Sequence, residues 1–97
     1  MKSLNLKQFK EAIATEAVIQ FSASWCGPCK ALTQAIESNE ESFETKIYKV
    51  DIDELSDLAQ VLRIRSVPTL IRFFEGEEIA RTAGLQSLDS LIEFSKA

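Results

Sequence analysis

Ser22-Ala23-Ser24-Trp25-Cys26-Gly27-Pro28-Cys29-Lys30-Ala31-Leu32 is the stretch on which the reading of this chain turns. It holds both cysteines of the 97 residues. A short apolar run, Ala17-Val18-Ile19-Gln20-Phe21-Ser22, precedes it, the mark of a buried strand. A helical stripe, Leu32, Ala35 and Ile36, follows it. The cysteines therefore stand where a strand gives way to a helix. Gly27-Pro28 turns the chain, and Pro28 suits a first helical turn, where its missing N–H costs nothing. Cys26 falls at the helix N-terminus and Cys29 within its first turn. Unpaired N–H groups and the positive end of the helix dipole favour a thiolate there. Two intervening residues let the thiols come close enough to form a disulfide.

Three uses for such a pair remain open on the residues alone. A structural zinc takes four ligands, and this chain offers two thiolates and no histidine. Carboxylates or a second subunit would have to complete the site. Inert buried cysteines are common, yet have no reason to sit together at a strand–helix junction. Redox exchange accounts for the spacing, the proline and the helix start together. The lack of histidine also excludes a Cys–His nucleophile pair and a Ser–His–Asp triad.

Composition bounds the partners. Apolar residues make up 45% of the chain and charged residues 27%, the balance of a globular protein. The net charge of −4 argues against nucleic acid, which needs a basic face, and against a polybasic membrane contact. No run of about 18 apolar residues is present. The stretch Met1 to Gln8 lacks the apolar core of a secretory leader, so the expectation is a complete cytoplasmic chain. In a reducing compartment a lone cysteine pair is not a structural staple.

Periodicity outward from the motif predicts α-β-α-β-α-β-β-α in one domain over residues 1–97. Leu6, Phe9 and Ile13 mark a short helix over residues 7–14. Residues 47–52 read as a strand. Leu55, Leu58, Ala59 and Leu62 form an amphipathic helix. Thr69 to Phe74 and Ile79 to Thr82 are strands joined by a turn at Glu75-Gly76-Glu77. A last helix carries Leu88, Leu91 and Ile92, capped by Ser87. The expected architecture is α/β, a central mixed sheet of four strands with helices on both faces. The first few residues can supply a fifth, short edge strand. Strands linked through helices are expected to be parallel, and the last two antiparallel.

"WCGPCK" resembles the active-site signature of the thioredoxin family. Ser66-Val67-Pro68-Thr69 before a strand, Val50-Asp51-Ile52-Asp53 closing another, Phe74-Glu75-Gly76-Glu77 at the hairpin and Gly84 before the last helix follow in family order. The resemblance spans nearly the whole chain and implies a thioredoxin-like fold. It implies a general protein-disulfide reductase with no cofactor beyond a reversible Cys26–Cys29 disulfide. Cys26 takes the role of the exposed nucleophile and Cys29 that of the resolving thiol. The implied partners are disulfide-containing proteins and a thioredoxin-reductase-like electron donor, with the chain a monomer.

Carried over residue by residue, Pro68 matches a cis-proline facing the cysteines, leaving the backbone of Val67 free to pair with an extended substrate. Trp25, Val67, Pro68 and Gly84 would form the substrate rim, and Gly27, Pro28 and Lys49 would support the site. Read without the family, Pro68 merely starts a strand, Trp25 is a core aromatic and Gly84 is a turn glycine. The alternative function is a thioredoxin-like binding module or accessory subunit with little redox role.

One departure keeps that alternative alive. The family's buried aspartate, thought to help move the resolving thiol's proton, is replaced here by Gln20. Glutamine cannot take a proton near pH 7 and needs hydrogen-bond partners if buried. Lys49 occupies the place of the aspartate's partner lysine. The acceptor for the Cys29 proton is thus left among water, the Lys49 amine and a carboxylate elsewhere. The expectation is a working oxidoreductase with a slowed second step. Ser66, where many relatives carry glycine, is expected to narrow the partner range.

Overall fold

The computed structural model describes residues 1–96. Its elements are α1 (Leu6–Ile13), β1 (Glu16–Ser22), α2 (Gly27–Glu37), a 3-10 turn (Glu40–Ser42), β2 (Ile47–Asp51), α3 (Ser56–Val61), β3 (Thr69–Phe74), β4 (Glu77–Ala83) and α4 (Leu88–Phe94). The order is the one periodicity predicts. β1 lies in the middle of a four-stranded sheet ordered β2-β1-β3-β4. That position explains its near-continuous apolar run, since both of its faces must be covered. Ala17, Ile19 and Phe21 pack on one side with Phe9 of α1 and the half-buried Leu58 of α3. Val18 packs on the other with Leu32 and Ile36 of α2 and Leu91 of α4. Helices thus cover both faces, as expected. Each wholly buried aliphatic side chain contributes about 1.5–3 kcal/mol. By the same alternation, Gln20 lies on the α2 face.

Local chemistry fixes the ends of the elements. Asn5 caps α1, its side chain accepting from the Gln8 N–H while Gln8 returns a bond to the Asn5 N–H, each at 2.9 Å. Ser87 caps α4 by accepting from the Ser90 N–H at 3.1 Å. Glu75 (φ 51°) and Gly76 (φ 85°) are both left-handed, the arrangement that matches the twist of a two-residue hairpin. Their N–H groups donate to the Thr15 and Ile13 carbonyls at 2.7 and 2.8 Å, which docks the turn against the α1–β1 connection.

The strand directions correct one expectation. β1 and β2 are parallel, but β3 runs antiparallel to β1 although α3 joins it to β2. β3 begins beside the end of β1, Thr69 facing Phe21, so the chain enters it from the end of the sheet that β2 left. The fifth strand is reduced to a single parallel bridge, Ser3 beside Lys49. No helix among the described residues is long and apolar enough to cross a membrane.

Candidate active site

The chain leaves β1 at Ser22 and turns so that the Cys26 N–H donates to the Ala23 carbonyl at 3.1 Å. Cys26 itself is the N-cap of α2, and Pro28 occupies the first turn. Its Sγ accepts the Cys29 N–H at 3.2 Å, filling the place a serine or aspartate oxygen usually takes. Cys26 and Cys29 are joined as a disulfide, with Cα atoms 5.3 Å apart. When that bond opens, the amide and the helix start favour the anionic form of the Cys26 sulfur.

Both cysteines are nearly covered, Cys26 at 4% exposed and Cys29 at 2%. The first cysteine is thus less open than the family likeness implies. Ala23 and the half-buried Ile52 and Val67 pack against the pair. Nothing in the sequence singles out Ile52 for this position. Its place at the end of β2, bonded through its N–H to the Ser22 carbonyl at 2.9 Å, brings it there.

The Val67–Pro68 bond is cis, and the Val67 carbonyl oxygen lies 3.7 Å from Cys26 Sγ. Pro68 is buried and lies just ahead of β3. The Gly84 N–H donates to the Pro68 carbonyl at 2.8 Å. Gly84 has φ 86°, and a Cβ there would meet nothing within 4 Å. Backbone conformation, not crowding, therefore demands glycine. Cys26, Val67, Pro68 and Gly84 are brought together. Ser66 is exposed beside them, and its carbonyl accepts from Thr69 Oγ1 at 2.6 Å.

Trp25 is not a core aromatic. It is 67% exposed, and its indole N–H donates to Asp53 Oδ2 at 3.0 Å. In the sequence Asp53 is legible only as part of a strand ending. The signal that could have found it is a tryptophan whose N–H needs an acceptor. Asp51 shapes the same loop, Oδ1 accepting from the Asp53 and Glu54 N–H groups at 2.8 and 3.2 Å. Gly27 is exposed, and a Cβ there also meets nothing within 4 Å.

Behind the disulfide, Gln20 is wholly buried. Its Nε2 donates to the Cys29 carbonyl at 3.3 Å and to Thr33 Oγ1 at 3.1 Å. A carbonyl can only accept, so the amide nitrogen must face Cys29 and Oε1 must point away. That oxygen has no hydrogen-bond partner. Lys49 is half-buried opposite Gln20 in the β1–β2 register and forms no ion pair among the described residues. A cleft of about 570 Å³ runs along this side, with Cys29, Thr33 and Lys49 among its walls.

The comparisons agree with this geometry. The thioredoxin family model matches residues 1–97. Thioredoxin of Chlamydia caviae is 45% identical over 94 residues, covering 95% of this chain and 92% of the relative. Thioredoxin-1 of Saccharomyces cerevisiae is 41% identical over 80 residues, covering 79% and 78%. Among solved structures, a mutant thioredoxin from Halobacterium salinarum superposes with a TM-score of 0.86 at 30% identity, over 97% of this chain and 88% of that one. Thioredoxins reduce protein disulfides without a cofactor. With a paired Cys26–Cys29 at the head of a helix, the chain belongs to the thioredoxin family and is a thiol–disulfide oxidoreductase.

Proposed function

We propose that the chain, acting as one domain and as a monomer in the cytoplasm, is a general protein-disulfide reductase in which Cys26 attacks and Cys29 resolves. The Cys26 thiolate attacks one sulfur of a substrate disulfide. The other substrate sulfur leaves as a thiolate and takes up a proton. Cys29 then loses its proton and attacks Cys26 Sγ. The Cys26–substrate bond breaks, the second substrate thiol is released, and the Cys26–Cys29 disulfide closes. Two electrons pass to the substrate, and a thioredoxin-reductase-like donor returns them. The disulfide is the only redox group the cycle uses.

One observation carries the assignment of roles. Cys26 Sγ accepts the Cys29 N–H at the start of α2 and lies 3.7 Å from the Val67 carbonyl, the backbone that would pair with an incoming chain. Trp25, Val67, Pro68 and Gly84 serve as the docking rim, with Val67 pairing to the substrate backbone. Gly27 and Pro28 set the turn, and Lys49 supports the site from behind. Ser66, exposed at the rim, restricts which partners fit.

Insulin reduction with thioredoxin reductase and NADPH tests the reading. The expected outcome is turnover that Cys26→Ser abolishes. The second reading, a binding module, draws on Gln20, which offers no base to the resolving thiol. A Cys26→Ser, Cys29→Ser double variant that restores a deletion strain would establish it instead.

A further inference from the structure

β4 holds both ends of the segment that carries Val67. At the far end, the Gly84 N–H just past β4 donates to the Pro68 carbonyl at 2.8 Å. At the near end, Arg81 reaches the carbonyls on which α3 gives out. Its Nη2 donates to the Leu62 carbonyl at 2.7 Å and its Nη1 to the Arg63 carbonyl at 3.3 Å. Carbonyls at a helix C-terminus lack helical partners, and a guanidinium suits them in charge and in geometry. Residues 64–68, between these two anchors, lie in no helix or strand. The Val67 carbonyl, inside that span, is 3.7 Å from Cys26 Sγ.

The guanidinium is itself aimed. Its Nε and Nη2 donate to the two Glu78 carboxylate oxygens at 2.8 and 2.7 Å. In a regular strand, Glu78 and Arg81 would face opposite sides of the sheet. Here the register shifts: Arg72 faces Ala80 but Phe73 faces Glu78, so Ile79 is an extra, bulged residue. Glu78 thus stands opposite Phe73 and Arg81 opposite Ile71. Both of those β3 residues belong to the core on the side of α1 and α3. The bulge turns Glu78 to the face on which α3 ends, and there it braces Arg81.

We propose that Arg81 is a positioning residue for substrate docking: braced by Glu78, it fixes the start of the loop that holds Val67 in register for an extended substrate beside Cys26. This rests on the reading of Val67 as the backbone that pairs with substrate. Arg81 acts through that loop and touches no sulfur. Its effect therefore falls on substrates that dock by their main chain. A small disulfide without a peptide backbone is indifferent to the register of Val67.

The test reads two second-order rates for the whole pre-reduced protein. One is with a disulfide-linked dimer of a linear cysteine peptide, the other with neutral dithiodipyridine, which has no main chain. Arg81→Met, which keeps much of the stem and removes the fork, should lower the ratio of the peptide rate to the dithiodipyridine rate about tenfold. Arg81→Lys cannot span Glu78 and both carbonyls, so it should restore only part of that ratio. A general loss of structure would slow both reactions together. A wild-type ratio in Arg81→Met, whether both rates fall or neither does, overturns the proposal. The same peptide N-methylated beside its cysteine tests the underlying reading, because it cannot offer the same main-chain bonds. Wild type should react with it more slowly than with the unmodified peptide. Equal rates would overturn the pairing at Val67 itself, and with it this inference.

Discussion

Gln20 Nε2 lies 3.3 Å from the Cys29 carbonyl oxygen, and the Gln20 side chain is wholly buried. The contact fixes the backbone under Cys29, the proposed resolving thiol, with a group that cannot ionise. A carboxylate facing the same carbonyl would be repelled unless it carried a proton. The glutamine therefore favours a well-ordered first turn of α2 over a resident base. Under the proposed assignment the cost falls on the second chemical step, because the first needs only the Cys26 thiolate.

Gln20→Asp should accelerate that second step. Burial raises a carboxyl's pKa toward neutrality, which makes it a useful base near pH 7. The expected gain in mixed-disulfide resolution is about tenfold or more. The same change gives up two buried hydrogen bonds, so stability should fall by about 1–3 kcal/mol. Stopped-flow release of a label from Cys26 reads the first, and a urea midpoint reads the second. An unchanged release rate would sink the idea that the proton limits this step.

Gly84→Ala isolates backbone strain at the rim. The Cβ would strike nothing, so the cost is that of holding φ 86° with a side chain, about 1–2 kcal/mol. For a chain of this size, that lowers Tm by roughly 4–8 °C per kcal/mol. Calorimetry with Gly27→Ala alongside is the control. Gly27 has the same free space but no left-handed φ, so only Gly84→Ala should show the full loss.

How much of the structure is legible in the sequence follows from the range of each interaction. Cys26, Pro28 and Cys29 are neighbours in the chain, and their helix-start geometry follows from local rules alone. So does Ser87 as a cap. The two-faced burial of β1 is visible as a near-continuous apolar run. The direction of β3 is not, because it depends on which end of the sheet the connection through α3 returns to. Asp53 meeting Trp25 is a contact across 28 positions: the indole N–H calls for an acceptor, but nothing local says which residue supplies it. Gln20 stands out as an anomaly, yet its partners Cys29 and Thr33 emerge only when α2 lies across β1. The proximity of Val67, Pro68 and Gly84 to the cysteines comes from family likeness, not from periodicity.

Arg63→Gly should stabilise the protein. α3 ends with Arg63 at φ 57°, while the Ile64 N–H donates to the Ala59 carbonyl and the Arg63 N–H to the Gln60 carbonyl at 2.9 and 3.0 Å. This is the six-to-one and five-to-two pair of a Schellman ending, with arginine where glycine is usual. Glycine would relieve the left-handed penalty but lose more entropy on folding, leaving a net gain of about 0.5–1 kcal/mol. The Arg63 side chain accounts for none of the hydrogen bonds that end the helix, so they should survive. A urea midpoint below that of wild type would contradict this account of the turn.

Arg81 gives the last prediction, which concerns acid. Its guanidinium donates from Nε and Nη2 to the two carboxylate oxygens of Glu78 at 2.8 and 2.7 Å. It also donates to the Leu62 and Arg63 carbonyls at 2.7 and 3.3 Å, tying β4 to the end of α3. The hydrogen bonds from Arg81 hold the Glu78 carboxyl below its ordinary pKa. A carboxylate whose folded pKa is lowered adds stability that is fully present above the unfolded value, about 4.3 for glutamate. That stability is lost as pH falls through the lower folded value. Both side chains are about a third exposed, so solvent screening limits the pair to a few tenths of a kcal/mol. Glu78→Gln should therefore lower the urea midpoint slightly at pH 7. The difference from wild type should shrink as pH drops below the ordinary glutamate range and close once Glu78 is protonated. Measured in about 0.5 M salt, the pH 7 difference should narrow further, because screening acts on an ion pair this close to solvent. A difference that persists at low pH would mean Glu78 acts through packing, and the ionic account of the Glu78–Arg81 pair would be wrong.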